Sequence, residues 1–252
     1  MQHPLHVSGY RPPFDSALHR LDARTKLLAA LAAVIVVVNT PPQAPGAFAG
    51  YAVLLGAALA VGRVPVGYLV RRWLVVLPFL AAAAVLPLLG PKDIIVLGVP
   101  LSRAGLAVLW NIAVKATLAV TAMTLLVAST HLADLLAALR RLKVPGVLVM
   151  LVGVTYRYVF ILADEAARMR RAAVARGYGG RWVWHAGAIG RIVGVLFIRS
   201  YERGERVHGA MLARGFDGVT IPGGHAPALA AWDRLVLAGW MGALAAVRIL
   251  AA

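Results

Sequence analysis

The sequence predicts an all-α integral membrane protein: about five transmembrane helices, joined to amphipathic helices on the cytoplasmic side. Three observations carry this. Of the 252 residues, 61% are hydrophobic, with a mean hydropathy of +0.79, whereas a soluble domain is closer to half apolar. Apolar segments long enough to cross a hydrocarbon core of about 30 Å recur along the chain. The formal charge is strongly positive, +16, yet it gathers between those segments, as the positive-inside rule and anionic headgroups favour. No basic module interleaved with aromatics lies outside the apolar runs. The expected partner of this charge is therefore the lipid bilayer, not nucleic acid.

The elements follow in order. The first 26 residues, MQHPLHVSGYRPPFDSALHRLDARTK, lack an apolar core and a small-residue cleavage site, so no signal peptide is expected. Leu18, Leu21 and Phe14 are placed to rest this stretch on the membrane surface. A first span is expected over 26–39, short enough that its start can reach back to Leu21, and a second over 46–62, divided by the proline-rich turn NTPPQAPG, because proline supplies no backbone donor inside a helix. A third covers 73–89, broken near Pro78 and Pro87. GPKDIIVLGVPLSR then forms a loop with a strand-like turn at IIVLG, and a fourth span covers 104–128. Residues 1–130 thus make a block of four transmembrane helices. The N-terminus (Arg20, Arg24, Lys26), the 63–72 loop (Arg63, Arg71, Arg72) and the region after Ala128 are basic, while the 39–45 and 90–103 loops are nearly neutral. That alternation puts the N-terminus in the cytoplasm.

Residues 131–225 form a second block, rich in charge. HLADLLAALRRLKVP reads as an amphipathic helix stopped by Pro145. GVLVMLVGVTYRYVFILADEAARMRRAAVARGYGG is one long helix whose apolar front half passes into a charged back half, and RIVGVLFIRSYERGERVHGAMLARGFDG repeats the plan. Fourteen of the 26 basic residues fall between Arg140 and Arg214, which places these helices at the cytoplasmic face. Residues 226–252 hold a last span, 228–251. The total is five or six, depending on whether 146–163 and 183–198 enter the membrane, with the C-terminus outside for five and inside for six.

Both long helices end alike, as VARGYGG and LARGFDG. Met169, Ala172, Ala173 and Arg176 follow i, i+3, i+4, i+7 spacing, as do Val207, Ala210, Met211 and Arg214, so each set lies on one helical face. Gly177 and Gly215 suit the position after a helix end, where a left-handed conformation costs least without a Cβ. A stripe of small or flexible residues closed by a guanidinium suits a helix that lies in a partner's groove and pairs with a carboxylate there.

These paired ends, with LHRLDARTKLLAALA near the N-terminus and YERGERVHGAMLARGFDG, resemble the transmembrane T component of energy-coupling factor (ECF) transporters, of the cobalt/nickel, CbiQ-like type. The similarity spans nearly the whole chain. It implies a non-enzymatic subunit of a metal uptake system in the bacterial cytoplasmic membrane. That subunit couples two copies of an ABC-type ATPase to a small substrate-binding membrane subunit. It also implies that the crossing helices dock in ATPase grooves through Ala175, Arg176 and Gly177, and through Ala213, Arg214 and Gly215. ATP would then be bound by the partner, and the transported cobalt or nickel by another subunit.

The chain has no G-x-x-x-x-G-K-[ST], so it lacks a P-loop of its own, and neither H-E-x-x-H nor G-x-S-x-G occurs. It has no cysteine, and its histidines (3, 6, 19, 131, 185, 208, 225) are scattered, so no cofactor or metal site is expected here. Asn111 and Lys115 lie one helical turn apart in the fourth span. A mid-membrane lysine is costly, so Lys115 either meets a carbonyl or carboxylate inside the bundle, snorkels, or touches another membrane subunit together with Asn111. Arg157 is read as reaching the interface. Glu202, Glu205, Asp164 and Glu165 sit at helical spacing from arginines and are read as surface pairs. Two other function classes stay open at this stage. A self-sufficient secondary transporter or channel needs ionisable residues lining a path, and a lipid-processing enzyme needs clustered acids or histidines at the interface.

Overall fold

A computed structural model of the chain describes residues 18–89, 91, 94–96, 99–177, 186–217 and 229–250. They divide into two compact units, one holding residues 18–138 with 229–250 and the other residues 139–217.

The first unit is a helical bundle. Helix α1 (Ala23–Val38) is capped by Asp22, whose side chain accepts the Arg24 amide at 2.9 Å, satisfying one of the donors every helix start leaves open. Helix α2 (Pro45–Gly62) begins on proline, which loses nothing at a position whose N–H has no partner. Helices α3 (Val66–Trp73), α4 (Leu77–Ala83) and α5 (Leu86–Leu89) form one apolar stretch, Val66–Leu88. It starts seven residues before the expected third span and breaks before Pro78 and Pro87, as expected of residues that cannot continue an i→i−4 ladder. Strands β1 (Ile94–Val96) and β2 (Val99–Leu101) make a small antiparallel hairpin with Ile95 opposite Pro100. Helix α6 (Arg103–Ser129), capped by Ser102 through the Gly105 amide, is roughly 40 Å long. It touches α1, α2, α3, α4 and α5, and α10 (Ala231–Leu250) closes the bundle against α1 and α2.

The bundle core is small-residue rich: Ala33, Ala44, Ala47 and Ala122 surround Tyr51, Phe48, Leu55, Leu118 and Leu244. Apolar tails are as apolar as leucine, so close approach and hydrogen bonds hold helices together in lipid. A Cβ added to Gly50 would lie 2.6 Å from Val247 Cγ1, so the Val247 side chain of α10 packs directly on the α2 backbone there. Trp240 Nε1 donates to Ala29 O at 3.1 Å, Trp73 Nε1 to Thr121 Oγ1 at 3.2 Å, and the Tyr51 and Thr40 hydroxyls meet at 3.3 Å. Large side chains face outward instead: Phe79 is 70% exposed and Trp110 67%.

Helix α7 (Leu132–Arg141) leads to the second unit, built on α8 (Gly146–Ala175) and α9 (Ala186–Ala213). Among the described residues, four segments are long and apolar enough to cross a membrane: Pro45–Gly62, Val66–Leu88, Arg103–Ser129 and Gly146–Ala175. The set differs from the sequence expectation at both ends. Helix α1, at 16 residues, is about 24 Å long, and α10 carries Asp233, Arg234 and Arg248, so neither belongs to it. Helix α8, whose front half the sequence leaves open, does.

Candidate functional site

Helices α8 and α9 pack through the apolar front of one and the charged back of the other. Arg199 Nη1 reaches Glu165 Oε1 at 2.7 Å, and the Arg203 guanidinium sits 6.0 Å from the Tyr158 ring centre, within cation–π range. Val147, Met150 and Leu151 of α8 share a groove of about 460 Å³ with Val207, Met211 and Phe216. Contacts therefore advance along α8 as they retreat along α9. Arg214 lies at the end where α8 begins, and Arg176 lies at its far end, on the order of 40 Å along the helix.

The local geometry of each end follows from its sequence. Gly177 has φ 85° and Gly215 φ 81°. A Cβ on either would meet nothing within 4 Å, so backbone conformation, not crowding, selects glycine. The Gly177 amide bonds to Val174 O at 3.0 Å and the Gly215 amide to Leu212 O at 2.9 Å. In α9 the Phe216 amide adds a 3.0 Å bond to Met211 O. Together these are the two bonds of a Schellman stop, usually accompanied by an apolar contact between the same residues. Phe216 and Met211 both line the groove. That gives the aromatic after Arg-Gly a role the motif alone left unexplained: it folds back over the stop and closes the groove. Tyr178, its counterpart, lies outside the described residues.

Ala175, Arg176 and Gly177, and Ala213, Arg214 and Gly215, are all exposed. Neither guanidinium has an ion-pair partner among the described residues. The stripes behind them differ from the sequence reading. Val207 and Met211 face α8 in the groove, so of the α9 stripe only Ala210 stays exposed beside Arg214, while Met169 and Ala173 are half-buried and Ala172 is exposed. The charge pairing agrees in part. Glu202 faces Arg206 at 3.9 Å, a helical neighbour as expected, whereas Arg199 pairs across the helices with Glu165. Pairing across an interface cannot be read from i,i+4 spacing.

In the bundle, Lys115 Nζ donates to Val38 O at 2.8 Å, the carbonyl reading among its alternatives. It satisfies an acceptor that the end of α1 leaves open. Asn111 has no hydrogen-bond partner among the described residues. A polar latch at Lys26 was not anticipated. Its buried ammonium donates to Ser129 O at 3.0 Å and His19 O at 3.2 Å, and the Asp22 amide donates to buried Asp233 Oδ1 at 3.1 Å. The start of α1, the end of α6 and the start of α10 are fastened there. The only sequence signal was a lysine followed at once by apolar residues. Among the described residues no three His, Asp or Glu side chains converge as metal ligands. His3, His6, His185 and His225 lie outside them.

Comparison with known proteins gives a consistent picture. The family model described as cobalt transport protein, CbiQ, matches residues 14–222. The cobalt transport protein CbiQ of Rhodobacter capsulatus is 33% identical over 196 residues, 77% of this chain and 78% of that protein. The energy-coupling factor transporter transmembrane protein EcfT of Acidaminococcus fermentans is 29% identical over 229 residues, 83% of each chain. A chain of Methanocorpusculum labreanum named as a fused cobalt transport protein, CbiMQ, is 27% identical over 213 residues, 81% of this chain but 35% of the fused one.

Proposed function

The chain belongs to the CbiQ cobalt transport protein family, and from that premise we propose that it is the coupling subunit of an ATP-driven cobalt or nickel uptake transporter. It would stand in the bacterial cytoplasmic membrane with its N-terminus inside, binding two copies of an ABC-type ATPase and a small substrate-binding membrane subunit. The observation that carries this reading is the pair of exposed Arg-Gly helix ends, set most of the length of α8 apart and lacking an acidic partner among the described residues. Two equivalent cations on one helix pair suit two equivalent carboxylate-bearing grooves. The names of the EcfT relatives, transmembrane proteins of energy-coupling factor transporters, agree with a role inside such a complex.

The mechanism follows from that geometry. A guanidinium forks onto a carboxylate with two parallel bonds, fixing direction as well as distance. The Schellman stop holds the Arg214 backbone in one conformation, so movement of an ATPase groove is passed to the helix, not absorbed by a loose end. Glu165–Arg199 and the Tyr158–Arg203 stack tie α9 to α8, and a displacement at either end reaches the other helix through them. Nucleotide can act only by favouring one arrangement of the pair over another. The metal ion is cargo held by the substrate subunit. Vesicles carrying the whole transporter test this. With Arg176→Ala and Arg214→Ala together, ATP-dependent cobalt uptake should fall at least tenfold while insertion of the chain persists. Uptake at the wild-type rate overturns the reading.

A further inference from the structure

A second cavity belongs to no part of this scheme. Within the bundle, α1, α2, α6 and α10 leave a cleft of about 230 Å³. An engineered aliphatic cavity of about 150 Å³ in another protein is enough to hold benzene. The walls are apolar and small, with Ala29, Ala33, Ala58, Ala122 and Gly239 among them. Its polar residues are Thr25, Lys26 and Ser129, with the Trp240 indole N–H spent on Ala29 O.

Two of those three are satisfied. Ser129 Oγ donates to Leu126 O, and Lys26 Nζ to two carbonyls. Thr25 is only 2% exposed, and its hydroxyl has no partner among the described residues. Other buried threonines of the bundle return theirs to the preceding turn: Thr40 to Val36 O at 2.7 Å, Thr121 to Thr117 O at 2.7 Å, Thr124 to Val120 O at 2.6 Å. Thr25 is the third residue of α1, so the carbonyl four residues back belongs to Leu21, before the helix begins. A buried hydroxyl without a partner is rare and costly, and this one lines an apolar cleft.

We propose that the cleft takes an acyl chain of a bilayer phospholipid, whose ester carbonyl accepts the Thr25 hydroxyl proton. The aliphatic lining selects a hydrocarbon chain. The Lys26 ammonium is already taken by the Ser129 and His19 carbonyls, so the donor left at the polar end is the neutral Thr25 hydroxyl, which suits an ester carbonyl. Thr25 lies in the first turn of α1, at the polar edge of its apolar run.

The test uses the full chain in bilayers of equal parts ester-linked phosphatidylcholine, its ether-linked analogue with the same chains, and the matching free fatty acid. Retained lipid is counted by native mass spectrometry after detergent extraction. The wild type should keep one phospholipid, ester over ether by about fivefold, the worth of one hydrogen bond. Thr25→Val keeps the shape, loses the donor, and should erase that preference. Gly239→Leu, where an added Cβ meets nothing within 4 Å, should fill the cleft and abolish retention without lowering the melting temperature. Equal retention of ester and ether lipid by the wild type, preference for the free acid, or unchanged retention by a folded Gly239→Leu would each overturn the proposal.

Discussion

The bundle and the α8–α9 unit are built from the same apolar, alanine-rich material, yet one has a core and the other does not. Buried residues occur throughout the bundle, from Thr25 to Leu244, whereas none of the described residues from 139 to 217 is buried. The bundle closes most of its polar groups on itself: hydroxyls return to their own helix, Lys26 and Lys115 take backbone carbonyls, and Asp233 takes an amide. The α8–α9 unit leaves its polar groups outward, with Arg168, Arg170, Arg171, Arg176 and Arg214 exposed. Val147, Leu151, Val193, Phe197 and Ile198 are exposed as well. Exposed apolar surface on that scale marks an interaction or membrane surface. A self-contained bundle can stand in lipid alone, but a helix pair without buried residues takes its order from what covers it.

Three substitutions sharpen that contrast. The largest stability effect is expected at the latch. Lys26→Ala leaves the Ser129 and His19 carbonyls without their donor, costing about 1–3 kcal/mol. It should appear as a clear drop in the melting temperature of the purified chain in detergent. A melting temperature within error of wild type would mean that the bundle is not fastened there. A smaller effect is expected from Gly215→Ala, which places a Cβ at φ 81° and costs roughly 1–2 kcal/mol. The loss should be confined to the end of α9, seen as faster amide exchange over residues 211–216 with the bundle unaffected. Exchange spreading into the bundle would break the contrast. The least is expected from Glu165→Gln. Its partner Arg199 is more than half exposed, and such pairs contribute less than about 1 kcal/mol, so helix content and melting should hardly move.

Much of the architecture was legible in the chain. Periodicity and apolar length gave the helices, the prolines at 78 and 87 gave the broken third span, and the glycines after Arg176 and Arg214 gave the two left-handed stops. What could not be read were relations between helices. No local rule pairs Arg199 with Glu165, turns Val207 and Met211 toward α8, or brings Asp233 to the amide of Asp22, because each depends on which helix lies alongside. The set of segments long and apolar enough to cross a membrane differs from the expected spans for a related reason. Helix α1 is short, and α10 carries charges that a bundle accepts once they find partners, as Asp233 does. At the candidate site the residues were legible while their arrangement was not. The motif named Arg176 and Arg214, but only the packing sets them at opposite ends of one helix pair.

The central claim is that these two arginines are what the ATPase holds. Its most direct measurement is the affinity of the purified ATPase for the full chain in lipid nanodiscs, compared among the wild type, Arg176→Ala, Arg214→Ala and the double variant. A hydrogen-bonded contact to a charged group is worth about 1.5–3 kcal/mol, or roughly ten- to a hundredfold in affinity. Each single variant should therefore lose at least about tenfold, and the double variant should bind weakly or not at all while melting as the wild type does. Wild-type affinity in a correctly folded double variant would contradict the account.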